Sequence, residues 1–100
     1  MFDKEAFEAG AAEAASLMHV LANERRLIIL CQLEGGELSV GEIRERLGLS
    51  QSALSQHLAL LREKNIVSTR RKAQSIFYRI TDPAAVKIIG TLAEIFCPKK

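Results

Sequence analysis

The chain has 100 residues, 48% apolar and 26% charged, the balance of a single ordinary globular domain spanning residues 1–100. Its apolar runs, such as residues 27–31, fall far short of the roughly 20 residues that a membrane-spanning helix needs, and the acidic start (Asp3, Glu5, Glu8) is the wrong chemistry for a secretion signal. The net charge of +2 hides an asymmetry: residues 1–34 hold six acids against three bases, and residues 50–80 hold six bases against one acid. A polyanion partner is therefore expected at the second region only, although a solvated charged face is the plainer alternative. The expected compartment is the cytoplasm, with no membrane partner. There two cysteines are normally thiols, and a disulfide regulates more often than it braces.

In chain order, residues 4–21 carry Phe7, Ala11, Ala14, Met18 and Leu21 as one helical stripe. Asn23 caps a second helix that stops at Gly35-Gly36. Ser39 caps a third, with Glu42 completing a capping box; Val40, Ile43 and Leu47 face inward and Gly48 ends it. Ser50 caps a fourth helix to about Lys64, closed by Asn65. Residues 66–71 and 75–80 are short β-prone runs around Lys72-Ala73-Gln74, a hairpin with a basic tip. Asp82 and Pro83 then open a fifth helix to about Phe96. The expected fold is mainly α with a β-hairpin wing, in the order ααααββα: a winged helix-turn-helix.

Residues 39–64 form the helix-turn-helix, because only Gly48-Leu49-Ser50 separates the third and fourth helices. In the fourth helix, Leu54, Leu58 and Leu61 make the core stripe. The opposite stripe, Ser52, Ser55, Gln56 and Ala59 with Gln51 beside it, is small, polar and uncharged. A merely solvated face prefers Lys and Glu, whereas Ser and Gln hydrogen-bond base edges and Ala allows close approach. Gln51, Ser52, Ser55 and Gln56 are thus the expected groove contacts on double-stranded DNA. Residues 66–80 form the wing, whose Arg70, Arg71, Lys72 and Arg79 are expected on phosphates; a hairpin edge protected by charge is the alternative. The fifth helix is apolar nearly all round (Val86, Ile88, Ile89, Leu92, Ala93, Ile95, Phe96). One face covers its own core, so residues 83–97 and 1–21 are expected to build a homodimer. That dimer would read an inverted-repeat operator with recognition helices about 34 Å apart. No phosphate loop, nucleophile-base-acid set or paired carboxylates point to an enzyme, and no cofactor is expected.

Residues 22–27 (Ala-Asn-Glu-Arg-Arg-Leu), 37–42 (Glu-Leu-Ser-Val-Gly-Glu) and above all 49–58 (Leu-Ser-Gln-Ser-Ala-Leu-Ser-Gln-His-Leu) resemble the ArsR/SmtB family of bacterial repressors over nearly the whole chain. The resemblance implies a homodimeric transcriptional repressor whose operator affinity falls when an inducer binds. The chain departs from the family's metal sensors. Ser39 and Gly41 stand where those carry a cysteine pair in the third helix, and the fifth helix has no histidine. Its two histidines read as a motif residue beside DNA or in packing (His57) and a structural residue (His19), so no metal site is expected.

Cys31 in the second helix and Cys97 after Phe96 resemble instead the family's thiol-switch branch, which answers to sulfide, persulfide and oxidants. That resemblance implies a disulfide or polysulfide bridge between Cys31 and Cys97 of one subunit, with a reactive sulfur species or oxidant as inducer. On physical grounds alone, Cys31 within an aliphatic run reads equally well as a small core residue, while Cys97 near the chain end is harder to assign to packing. Three other readings stay open: a regulator with inert cysteines under another ligand, an activator that displaces a silencing protein, and a winged helix used for protein contacts.

Overall fold

The computed structural model describes residues 3–97. The elements run α1 (Lys4–Leu21), α2 (Glu24–Glu34), β1 (Leu38–Ser39), α3 (Val40–Leu47), α4 (Gln51–Glu63), β2 (Val67–Lys72), β3 (Ser75–Ile80) and α5 (Pro83–Phe96). Each helix starts where a short polar side chain takes up an amide that the first turn leaves unpaired. Asn23 accepts from the Arg26 amide at 3.0 Å and Asp82 from the Ala85 amide at 2.8 Å. At α3 the capping box is complete: Ser39 Oγ accepts from the Glu42 amide, and the Glu42 carboxylate accepts from the Ser39 amide at 2.9 Å. The fold is the winged helix expected from the sequence.

One element is additional. Residues Leu38–Ser39 pair antiparallel with β3, Leu38 opposite Tyr78 and Ser39 opposite Phe77, so the wing is a three-stranded sheet in the order β1-β3-β2. Two residues are too few to show the alternation of a strand, and only the partner reveals them. The wing also begins one residue later than expected. Ile66 is fully buried; its amide closes α4 on the Leu61 carbonyl at 2.9 Å, and its own carbonyl accepts from Thr81 at 3.0 Å. It joins helix to sheet, and Asn65 supports the reversal with a φ of 59°.

The core collects Ile29, Leu30 and Leu33 from α2, Ile43 from α3, Leu54, Leu58 and Leu61 from α4, and Ala85 and Ile89 from α5. Each large aliphatic side chain here contributes about 1.5–3 kcal/mol through burial. The first helix stands apart. Only Val20 and Leu21 at its end are buried, and the Arg26 Nε–H donates to the Val20 carbonyl at 2.6 Å, pinning that end to α2. Its expected stripe is otherwise unburied, with Phe7 and Met18 more than half exposed. The radius of gyration, 14.7 Å, exceeds the roughly 13 Å of a compact chain of this length, as a projecting helix requires. The first two residues of the expected segment 1–21 lie outside the described residues. Among those described, no helix is long and apolar enough to cross a membrane.

Candidate nucleic-acid interface and thiol pair

The turn that aims α4 is Gly48-Leu49-Ser50. Gly48 has a φ of 64° and its amide closes α3 on the Arg44 carbonyl at 2.9 Å. The positive φ is what favours glycine here, since a Cβ would meet no atom within 4 Å. Leu49 tucks against the core, and Ser50 Oγ accepts from the Ala53 amide at 3.2 Å. With Leu54, Leu58 and Leu61 buried, the 3.6-residue period turns Gln51, Ser52, Ser55, Gln56 and Ala59 outward, and all five are exposed. Of these, Gln51, Ser55 and Ala59 line an open groove of about 790 Å³ between α4 and the wing, bordered on the far side by Gln74, Ser75 and Ile76, while Ser52 and Gln56 lie outside it.

The wing divides its basic residues between two faces. Register pairs Arg71 with Ile76 and Thr69 with Tyr78, and Ile76 and Tyr78 line the α4 groove, so Arg71 shares that side. Arg70, Lys72 and Arg79 lie on the opposite face, across from Phe77, Ser75 and Ser68. There Glu37, just before β1, receives two hydrogen bonds from Arg70, 3.0 Å from Nε and 2.6 Å from Nη2. The Arg70 guanidinium also lies 4.9 Å from the centre of the Phe77 ring. These hydrogen bonds, helped by the charges of Arg79 and Lys72, hold the Glu37 carboxyl below the usual carboxylate range. The four basic residues expected on phosphates are thus all exposed, but one is engaged within the chain. Glu37 escaped the sequence reading because its role depends on β1 lying beside β3.

The histidines differ from one another. His57 is half-buried on α4; burial, with the charges of Arg26 and Arg25 on α2, holds its imidazole below the ordinary 6.5. His19, expected to be structural, is exposed on α1. Among the described residues no three His, Cys, Asp or Glu side chains converge as a metal set.

Cys31 and Cys97 come together. The C-terminal helix α5 folds back along α2, which brings Cys97, the residue capping α5, to Cys31 in mid-helix. Both are free thiols, Cys31 half-buried and Cys97 exposed. Burial, then the charge and hydrogen bond of Cys97, and finally Glu34, push the Cys31 thiol up to about 11.

A helix pair with a glycine turn, an outward face of Ser and Gln, and a basic three-stranded wing make up the architecture of a winged helix-turn-helix. Residues 23–69 match the family model described as bacterial regulatory protein, arsR family. The chain is 50% identical over 90 residues to the transcriptional activator HlyU of Vibrio cholerae, covering 90% of this chain and 83% of HlyU. The chain belongs to the ArsR family. A second ArsR-family relative, the biofilm growth-associated repressor of Xylella fastidiosa, is 42% identical over 97 residues, 97% of this chain and 85% of that protein. The solved structure of reduced HlyU from Vibrio cholerae superposes with a TM-score of 0.88 at 48% identity, over 93% of this chain and 98% of that one. As an ArsR-family protein the chain is a DNA-binding transcription regulator, whose activity is binding and not catalysis.

Proposed function

We propose that this regulator is a homodimer that holds an inverted-repeat operator while Cys31 and Cys97 are thiols and releases it when they are bridged. The observation that carries this reading is the meeting of two free thiols, 66 residues apart in sequence, across the α2–α5 contact. One thiolate attacks a persulfide or another two-electron oxidant, and the second thiol resolves the adduct into a disulfide or polysulfide within one subunit. That HlyU was solved in a state described as reduced supports redox state as a variable of this architecture.

The dimer reading rests on apolar surface. Met18 on α1 and Val86 and Ile95 on α5 stay 54%, 48% and 62% exposed, and twofold pairing of these helices would cover them. A bridge would fasten the end of α5 to α2. That same α2 meets α4 electrostatically through Arg25 and Arg26 beside His57, so the thiols bias both the dimer contact and the seat of the reading helix. Gln51, Ser52, Ser55 and Gln56 read base edges, while Arg71, Lys72 and Arg79 hold phosphates; Arg70 joins them by exchanging Glu37 for a phosphate. The protein acts in the cytoplasm, where the DNA is.

The inducer reading is tested by intact-mass and peptide mass spectrometry after a persulfide donor. The expected product is a Cys31–Cys97 crosslink within one subunit; modification without a crosslink would refute it. The sign of regulation has a second reading, since one relative is named an activator and another a repressor. A promoter fusion with and without this gene decides between them: expression rises on deletion for a repressor and falls for an activator.

A further inference from the structure

Beside the thiol pair, α2 and α5 flank an open cavity of about 530 Å³, within the range of small-molecule sites. Leu27, Ile28, Leu92 and Phe96 form its walls, and both Cys31 and Cys97 border it. Two carboxylates colour its field. Glu24 stands at its edge, and Glu34 acts on Cys31 from the same helix. Among the described residues lining it there is no Lys, Arg or His, and only the amides of Asn23 and Gln32 are polar and uncharged, so an incoming anion would meet hydrogen-bond donors but no countercharge among them, with the like charge of Glu24 at the edge.

We propose that this cavity receives the inducer and selects uncharged two-electron oxidants that carry a hydrocarbon group, such as organic hydroperoxides or dialkyl trisulfides. The inference rests on the thiol-switch reading and names the chemistry of that switch. With a hydroperoxide, one thiolate takes the outer oxygen, an alcohol leaves with a proton, and the resulting sulfenic acid loses water to the second thiol. With a trisulfide, the thiolate bonds one outer sulfur and expels an alkyl persulfide, which takes up a proton; the second thiol then displaces an alkyl thiol. In each case two thiols lose two electrons to an O–O bond or to S–S bonds, and a disulfide remains. The half-buried Cys31 keeps its proton near neutrality, so a held electrophile gains more than a passing one.

Each methylene that enters the cavity raises occupancy roughly fourfold. The test is the rate of crosslinking of the full reduced protein, each rate divided by that of a small free thiol with the same reagent. The peroxide arm compares hydrogen peroxide, tert-butyl hydroperoxide and cumene hydroperoxide; the sulfur arm compares dimethyl trisulfide, dipropyl trisulfide and glutathione trisulfide. The normalised rate is expected to rise roughly tenfold or more along the peroxide arm, with dipropyl trisulfide fastest and charged glutathione trisulfide slowest in the other. Phe96, 72% exposed, is the least structural wall: Phe96→Ser should flatten both slopes and Phe96→Leu should restore them. Flat series in the native protein, which would also follow if a second copy seals the cavity, or slopes that survive Phe96→Ser, overturn the proposal while leaving the switch standing. If no reagent crosslinks the thiols, the switch reading itself fails.

Discussion

Burial decides how Cys31 reacts. Its thiol is pushed up to about 11, so the thiolate fraction grows about tenfold for each pH unit well past the point where an ordinary thiol, near 8.5, is already ionised. Labelling of Cys31 by iodoacetamide, read by peptide mass spectrometry, should keep rising steeply from about pH 8 to about pH 10; a plateau by about pH 9 would contradict the burial account. On the proposed DNA face, chemistry divides by residue type. Gln56→Ala should cost about 1–3 kcal/mol of base discrimination, seen in competition between operator variants. Lys72→Ala should weaken all sequences alike and reduce the salt slope by about one. A Lys72→Ala protein that changed only its preferred base would contradict the phosphate assignment. The polar stripe of α4 was legible because caps and the leucine period fix which side chains turn outward. The nearness of Cys31 and Cys97 was not: it depends on α5 folding back over α2, and only the family resemblance pointed to it.

At the scale of elements, the helix-turn-helix and the wing are built by different rules. The turn is local: Gly48 adopts a φ of 64° that an L residue adopts at a cost of about 1–2 kcal/mol. Because open space surrounds that position, Gly48→Ala should lower stability by about this amount with no steric addition, measured by urea unfolding; a neutral substitution would show that α3 ends differently. The second to fifth helices were readable for the same reason, since each begins at a side-chain cap, whereas α1 was read from its apolar stripe and its Asp3 cap was missed. The wing depends on pairing across the chain. Its tip, Ala73-Gln74, has no glycine or Asn-Gly signal, yet Ala73 takes a φ of 55°. The short strand β1 shows itself only through β3, and Glu37 with it. That pairing converts a row of four basic residues into one cation facing the α4 groove and three on the other face, one of them held by Glu37.

For the whole molecule, α1 projects and α5 is apolar on both sides, the surface that the proposed homodimer would cover. Ile95 lies outside the core and is 62% exposed, so Ile95→Asp should leave the helical content of the chain intact. It should convert the proposed dimer to monomer in sedimentation and abolish tight binding to a two-half-site operator, because a lone α4 engages one half-site. A dimeric, operator-competent Ile95→Asp protein would place the interface elsewhere. The thiols sit where α5, the proposed dimer helix, meets the helix that neighbours α4, so in this account their state should reach DNA as a coupling free energy of about 1–3 kcal/mol. The direct measurement is operator affinity, at one fixed salt concentration, for the fully reduced protein and for the same protein after Cys31–Cys97 crosslinking. The account predicts a loss of roughly 5–150-fold on crosslinking that is reversed by reductant and absent in Cys31→Ser and Cys97→Ser. Equal affinity in the two states, or release that persists in either serine variant, would contradict it.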